Sequence, residues 1–166
     1  MRNPRIRLRE HVASDLAAFC EWQMDPEVAR YLSWLPRSRH QCESALLDAI
    51  EQQAAAVERG RFFFAVDLLS TGEMIGDVGY TKCDPRTADC GWFLLKRFWG
   101  HGYASEAVRQ LITLAREDDQ LERLTASCRL ENASSLHVAE ACGFRRSGQT
   151  EQRVYFELVL QRTVEG

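Results

Sequence analysis

Cys90-Gly91-Trp92-Phe93-Leu94-Leu95, Arg97-Phe98-Trp99-Gly100-His101-Gly102 and Tyr103-Ala104-Ser105-Glu106-Ala107-Val108 form the stretch whose reading decides the fold. The first six residues are a nearly continuous apolar run, the pattern of a strand covered on both faces. Beyond the turn, Ala104, Ala107, Val108, Leu111, Ile112 and Ala115 recur at helical spacing and predict an amphipathic helix. Gly100 and Gly102 lie between the two elements, can take positive φ and carry no Cβ, so the backbone there can curl around a ligand. The unpaired N–H groups and the positive dipole end of the following helix favour an anion at this place, and a pyrophosphate suits it. Two familiar phosphate motifs fit poorly. G-x-x-x-x-G-K-[ST] is absent, and Ser105 stands where G-x-G-x-x-G needs its third glycine. From the glycines alone, a plain structural turn is the competing reading.

Working outward, the period changes on both sides. Toward the N-terminus, Phe62 to Leu68 and Met74 to Lys82 are rich in strand formers, and Ser70-Thr71-Gly72-Glu73 between them is turn chemistry, which predicts an antiparallel hairpin. Asp84-Pro85 starts a loop before the central strand. Ser38-Arg39-His40-Gln41 fits a capping box, and an apolar stripe from Cys42 to Val57 predicts a helix lasting until Gly60. Before it, Ile6 and Leu8 alternate with arginines as a strand, a helix starts at Ser14-Asp15, and Asp25-Pro26 begins a short one. Toward the C-terminus, Leu124, Ala126 and Cys128 alternate as a strand. Asn132-Ala133-Ser134-Ser135 opens a helix closing at Gly143, and two short strands around Phe144 and Val154–Leu160 finish the chain. The class is mixed α/β with an antiparallel first half.

The chain has 166 residues, 45% hydrophobic and 27% charged, with no internal repeat or linker, so a single domain over residues 1–166 is expected. A formal net charge of -3 argues against a nucleic-acid surface. No apolar run approaches the ~20 residues that span a bilayer, so no membrane association and a cytoplasmic location are expected. Six cysteines without a CxxC pair and four histidines without close ligand spacing indicate no metal and no disulfide framework.

Arg97 to Ala107, with Trp99-Gly100-His101-Gly102-Tyr103-Ala104 at its centre, resembles the acyl-CoA-binding motif [RQ]-x-x-G-x-[GA] of the GNAT acetyltransferases, and in particular the RimJ/RimL branch. Asn132-Ala133-Ser134-Ser135, Gly143-Phe144 and Tyr31-Leu32-Ser33-Trp34 extend the likeness over nearly the whole chain. The resemblance implies a mixed, mostly antiparallel central sheet of about six or seven strands with helices on both faces. A splayed parallel pair, here 90–95 and 122–128, would admit the acyl-CoA arm.

It also implies direct transfer of an acetyl group from acetyl-CoA, as co-substrate and without metal, to a primary amine. The acceptor would be a protein N-terminus or a small-molecule amine, and the protein a monomer or homodimer. A non-catalytic acyl-CoA-binding module is the alternative. By resemblance, cofactor contacts fall on Leu94, Leu95, Arg97, Phe98, Trp99, Gly100, His101, Gly102, Tyr103, Ala104, Asn132 and Ser135. Direct transfer needs a base, a polarised carbonyl and a proton for the thiolate. Asp89 is the first base candidate and Asp77 its competitor; Ser135 and Tyr155 are candidate acids; Tyr31, Trp34 and Trp92 are expected to wall the acceptor.

Overall fold

The computed structural model describes residues 3–32, 37–55 and 59–161. Chain order is β1 (Ile6–Arg9), a 3₁₀ turn (Ala13–Asp15), α1 (Leu16–Met24), α2 (Pro26–Ala29), α3 (Arg39–Ala54), β2 (Arg61–Leu68), β3 (Met74–Asp84), β4 (Thr87–Leu94), a 3₁₀ turn (Lys96–Phe98), α4 (Tyr103–Ala115), β5 (Arg123–Arg129), α5 (Ala133–Ala141), β6 (Arg145–Gln149) and β7 (Arg153–Val159). The strands make one seven-stranded sheet of order β1-β2-β3-β4-β5-β7-β6. All neighbours are antiparallel except β4 and β5, which run parallel, and the apolar strand is the middle one as its composition demands.

The two sheet faces bury different side chains. Ala88, Cys90 and Leu94 of β4 and Leu124, Ala126 and Cys128 of β5 meet Ala107, Val108 and Leu111 of α4 and Val138 and Ala139 of α5. On the other face Ala65 and Met74 meet Phe19 and Cys20 of α1 and Cys42 and Leu46 of α3. The helix stripe read from the sequence is therefore the one that α4 buries; Leu111 and Ala115 have no exposed surface.

Local signals set most boundaries. The Ser38 hydroxyl accepts from Gln41 N–H at 3.3 Å while Gln41 Oε1 accepts from Ser38 N–H at 2.8 Å, the reciprocal box that starts α3. Three boundaries differ from the sequence expectation. The α3 helix ends at Ala54, short of Gly60. The expected loop after Asp84 is a tight turn instead, because Asp84 Oδ1 accepts from the N–H groups of Arg86 at 2.7 Å and Thr87 at 2.9 Å. That starts β4 at Thr87 and puts Asp89 inside a strand. Phe144 belongs to the helix end, its N–H donating to Ala139 O at 3.0 Å behind Gly143 (φ 92°), so β6 begins one residue later. No helix among the described residues is long and apolar enough to cross a membrane.

Candidate functional site

Only three register pairs join β4 to β5: Thr87 with Arg123, Ala88 with Leu124 and Asp89 with Thr125. Past Asp89 the strands part, while β4 stays paired to β3 as far as Leu94. Leu95 N–H donates to Ile75 O at 2.9 Å, on the β3 side. Strand alternation therefore turns the N–H and C=O groups of Leu94, and two residues earlier of Trp92, toward the gap. The Leu94 carbonyl takes the Trp99 indole N–H at 2.9 Å. The gap thus has an edge of peptide groups suited to an extended amide-bearing chain.

At the end of that edge stands the glycine turn. Phe98 N–H and Trp99 N–H close the 3₁₀ turn onto Leu95 O and Lys96 O, after which Gly100 (φ 77°) and Gly102 (φ 79°) reverse the chain into α4. Both glycines are in the left-handed region, where a side chain is strained. A Cβ on Gly100 would touch nothing within 4 Å and one on Gly102 would meet Arg5 Nη2 at 3.5 Å, so it is backbone conformation, not crowding, that calls for glycine here. The first-turn N–H groups of the 13-residue helix α4 begin at this turn, and their unpaired donors suit an anion such as a pyrophosphate.

The side chains expected around the cofactor are distributed as follows. Arg97 is ion-paired to Glu21 and, at 2.5 Å, to Glu73; these partners hold its guanidinium and raise its pKa. Phe98 is half-buried against Tyr103, their rings 6.5 Å apart, and Leu95 is fully buried with Trp22 and Val28. His101 is exposed, and Ala104 packs against the core from the first turn of α4. Asn132 caps α5, its Oδ1 accepting from Ser135 N–H at 3.2 Å, which leaves its amide nitrogen for another acceptor.

Sequence reasoning missed Arg5. Its guanidinium lies over the Tyr103 ring at 4.6 Å and donates to His101 O at 3.0 Å and Glu106 Oε2 at 3.0 Å, which places a cation at the glycine turn. Glu106 also accepts from the backbone N–H of Arg5 at 2.7 Å, so it ties β1 to the start of α4. Both belong to a contact about a hundred residues long, which no local pattern announces.

Cross-strand register puts Asp77 with Phe93, Gly79 with Gly91, Thr81 with Asp89, Asp89 with Thr125 and Ser127 with Tyr155 on one face, the face of α1 and α3. Asp89 is exposed and accepts from the Thr125 hydroxyl at 2.8 Å; desolvation raises its pKa, against Thr125 and Arg153, which lower it. Tyr155 is exposed on the same face. Tyr31 is half-buried beyond α2, and Leu32 O next to it accepts from Arg129 at 3.3 Å, so this segment reaches across to the end of β5. Trp92 packs against Phe144 on the opposite face, apart from Tyr31. The expectation for Trp34 lies outside the described residues.

A cavity of about 180 Å³ opens between α1, α3 and the sheet, lined by Phe19, Trp22, Phe63, Phe93 and Asp77 among others. Trp22 stacks on Phe93 with centroids 4.6 Å apart, and it also lines the depression beside Lys96 and Arg97. Asp77, 2% exposed, has Oδ2 at 2.6 Å from Nε2 of His11, itself 1% exposed. Asp15 stands 3.6 Å from the other ring nitrogen and is held by Arg9. Burial pulls the His11 pKa down, but Asp77 and Asp15 outweigh it and the net shift is upward. The acid at position 77 was legible as out of place in a strand; its histidine partner, 66 residues earlier, was not. Among the described residues no group of three or more His, Cys, Asp or Glu side chains could hold a metal.

A parallel pair that parts beside a glycine turn at a helix N-terminus defines an acyl-CoA-binding acetyltransferase fold. Residues 5–145 match the acetyltransferase (GNAT) domain model, and the chain belongs to that family as an acetyl-CoA-dependent acetyltransferase. It is similar to the uncharacterized N-acetyltransferase p20 of Bacillus licheniformis, 29% identical over 146 residues, covering 87% of this chain and 81% of the relative. Among solved structures, the ribosomal L7/L12 alpha-N-protein acetyltransferase RimL superposes with TM-score 0.81 at 18% identity, covering 95% of this chain and 96% of that one. Spermidine N-acetyltransferase from Vibrio cholerae, in complex with CoA and spermine, superposes with TM-score 0.79 at 17% identity, covering 95% and 97%. The fold expected from the sequence is the fold found: seven strands, mostly antiparallel, with one parallel pair and helices on both faces.

Proposed function

We propose that this chain, acting as one GNAT domain over residues 1–166, transfers the acetyl group of acetyl-CoA to a primary amine, either a protein N-terminus or a small molecule. The observation that carries the reading is the parting of β4 from β5 after Asp89 and Thr125, with the Gly100–Gly102 turn at the end of the same strand. In that reading those amides of the 97–102 turn that do not close the 3₁₀ turn, together with the Arg5 cation, hold the pyrophosphate, and the gap-facing peptide groups of Trp92 and Leu94 hold the extended arm. Acetyl-CoA supplies an activated thioester. An N–H on β4 polarises its carbonyl, and Asp89 takes the proton of the amine through water. Ser135 and Tyr155 are the two hydroxyls available to protonate the leaving sulfur.

Calorimetric titration of acetyl-CoA into the wild type and Gly102→Glu tests the site. Binding at ~1–100 μM, worth about 5.5–8 kcal/mol, is expected for the wild type and loss of heat for the variant, which puts bulk and negative charge at the pyrophosphate. Thiol release from acetyl-CoA with a panel of amines then tests transfer. A folded wild type that gives no heat removes the reading.

A further inference from the structure

We propose that the cavity between α1, α3 and the sheet takes a compact primary monoamine with a flat apolar body, its single ammonium group anchored on Asp77. The inference rests on the acetyl-transfer reading and names the substrate class of that same site.

The charges decide where the ammonium goes. Two carboxylates line the cavity, and Asp48 is paired at 2.6 Å with Arg61. Among the described residues Asp77 has no arginine or lysine ion pair; its partner is His11, which it shares with Asp15. The Asp15 charge is met in turn by Arg9 at 2.8 Å, and Asp67 is met by Arg9 at 2.7 Å and by Arg7 at 3.3 Å. Carboxylates are rarely buried without a cationic partner, and a carboxylate that lines a cavity with only a histidine for partner is a seat for a ligand cation when that histidine is neutral.

The walls decide the body of the ligand. Phe19 and Trp22 from α1, Phe63 from β2 and Phe93 from β4 line it with aromatic rings, surroundings favourable both to a flat apolar group and to a cation beside it. The volume of about 180 Å³ lies below the ~300–1,000 Å³ of drug-sized sites. Arg61, exposed, and Arg37, half-buried and bonded to Gln23 at 2.8 Å, also line the cavity. Of the two carboxylates that line the cavity, Asp48 is already matched by Arg61, so a second positive charge on the amine finds no seat there, which disfavours a polyamine.

The location suits transfer. Asp77 pairs directly with Phe93, which lies on the part of β4 that faces the gap, so an amine on Asp77 is about one strand spacing, ~5 Å, from that edge. Asp89 is four residues back along β4, roughly 13 Å away, so the proton that the ammonium must lose before it can attack reaches Asp89 along a chain of waters in the gap. Asp77 is thus the anchor, and exposed Asp89 exchanges protons through solvent.

The experiment measures thiol release from acetyl-CoA with 2-phenylethylamine, spermine and an Ala-initiated hexapeptide, alongside the affinity for acetyl-CoA. The expected result is saturation with 2-phenylethylamine and at least ~10-fold lower kcat/KM for the other two. Asp77→Asn is expected to raise KM for 2-phenylethylamine at least ~10-fold, with kcat within ~3-fold and acetyl-CoA affinity unchanged. Ala49→Phe, which narrows the cavity from α3 and leaves the His11 and Asp77 side chains in place, is expected to raise the same KM and serves if Asp77→Asn does not fold. A better rate with spermine or the peptide overturns the inference, as does a wild-type KM in either folded variant. Those outcomes leave the acetyltransferase reading standing, whereas absence of acetyl-CoA binding in the wild type removes that reading and the inference with it.

Discussion

The Thr125 hydroxyl donates to Asp89 Oδ1 at 2.8 Å across the last register pair that β4 and β5 share, so one hydrogen bond marks the point where the sheet opens. This bond stabilises the ionised carboxylate, while desolvation of the carboxyl group by the strands on either side opposes ionisation more strongly and leaves its pKa raised, even though the residue keeps an exposed surface. A base works in its deprotonated form. If Asp89 is that base, kcat/KM rises with pH along a limb lying above the ordinary carboxylate range. Asp89→Asn is expected to remove the limb and cut kcat/KM ~10²-fold or more. Thr125→Val, which deletes the donor, should move the limb to higher pH; a limb that stays put or moves down assigns it to another group.

His11 makes a separate prediction, on stability. Its folded pKa lies above the unfolded value near 6.5, so the folded protein binds a proton that the unfolded chain gives up. The resulting stabilisation is fully present below pH ~6.5 and is lost as pH rises through the folded pKa. The groups that face the ring are Asp77, Asp15 and, beyond them, Arg9. Thermal melts across pH 5.5–9 are expected to show Tm falling over that window in the wild type and a flatter profile in His11→Asn. A His11→Asn profile as steep as the wild type's places the proton elsewhere.

Glu106 gives a third test. Its Oε1 accepts from the N–H groups of Arg5 at 2.7 Å and Ile6 at 3.3 Å, and its Oε2 meets the Arg5 guanidinium. Glu106→Ala leaves two backbone donors at the sheet edge without their acceptor and releases Arg5 from the glycine turn. A loss of about 1–2 kcal/mol is expected, read as a Tm lower by ~2–8 °C. Weaker acetyl-CoA binding should accompany it, because Arg5 is no longer fixed beside Tyr103. Unchanged affinity would mean that the Arg5 cation contributes nothing to the phosphate site.

What could be read from the sequence, and what could not, divides by the range of the interaction. The α4 stripe, the Ser38 box, the β2–β3 hairpin and the Gly100–Gly102 turn rest on residues within a few positions of one another, and propensity and periodicity carry that information. The parallel pairing of β4 with β5 and the parting after Asp89 came from a resemblance, since periodicity names strands without naming their neighbours. Asp84 shows local chemistry misjudged: its side chain makes a tight turn where a loop was expected, which moved Asp89 from turn to strand. The acceptor cavity was beyond reach. It joins Phe19, Phe63, Asp77 and Phe93 from four elements, and only the fold tells Phe93, which faces it, from Trp92, which faces away.

The same argument from faces separates the two candidate acids. Tyr155 pairs with Ser127 just beyond the point of divergence and is 39% exposed on the face that carries Asp77 and Asp89. Ser135 lies in the first turn of α5, its N–H capped by Asn132, where a hydroxyl is common for reasons of helix initiation alone. Tyr155→Phe keeps the ring and deletes the proton, so it is expected to lower kcat ~10–100-fold with acetyl-CoA affinity unchanged. Ser135→Ala should leave kcat within ~3-fold. Measured side by side, the opposite ranking would move the thiolate's proton source to α5, and with it the sulfur to the helix side of the gap.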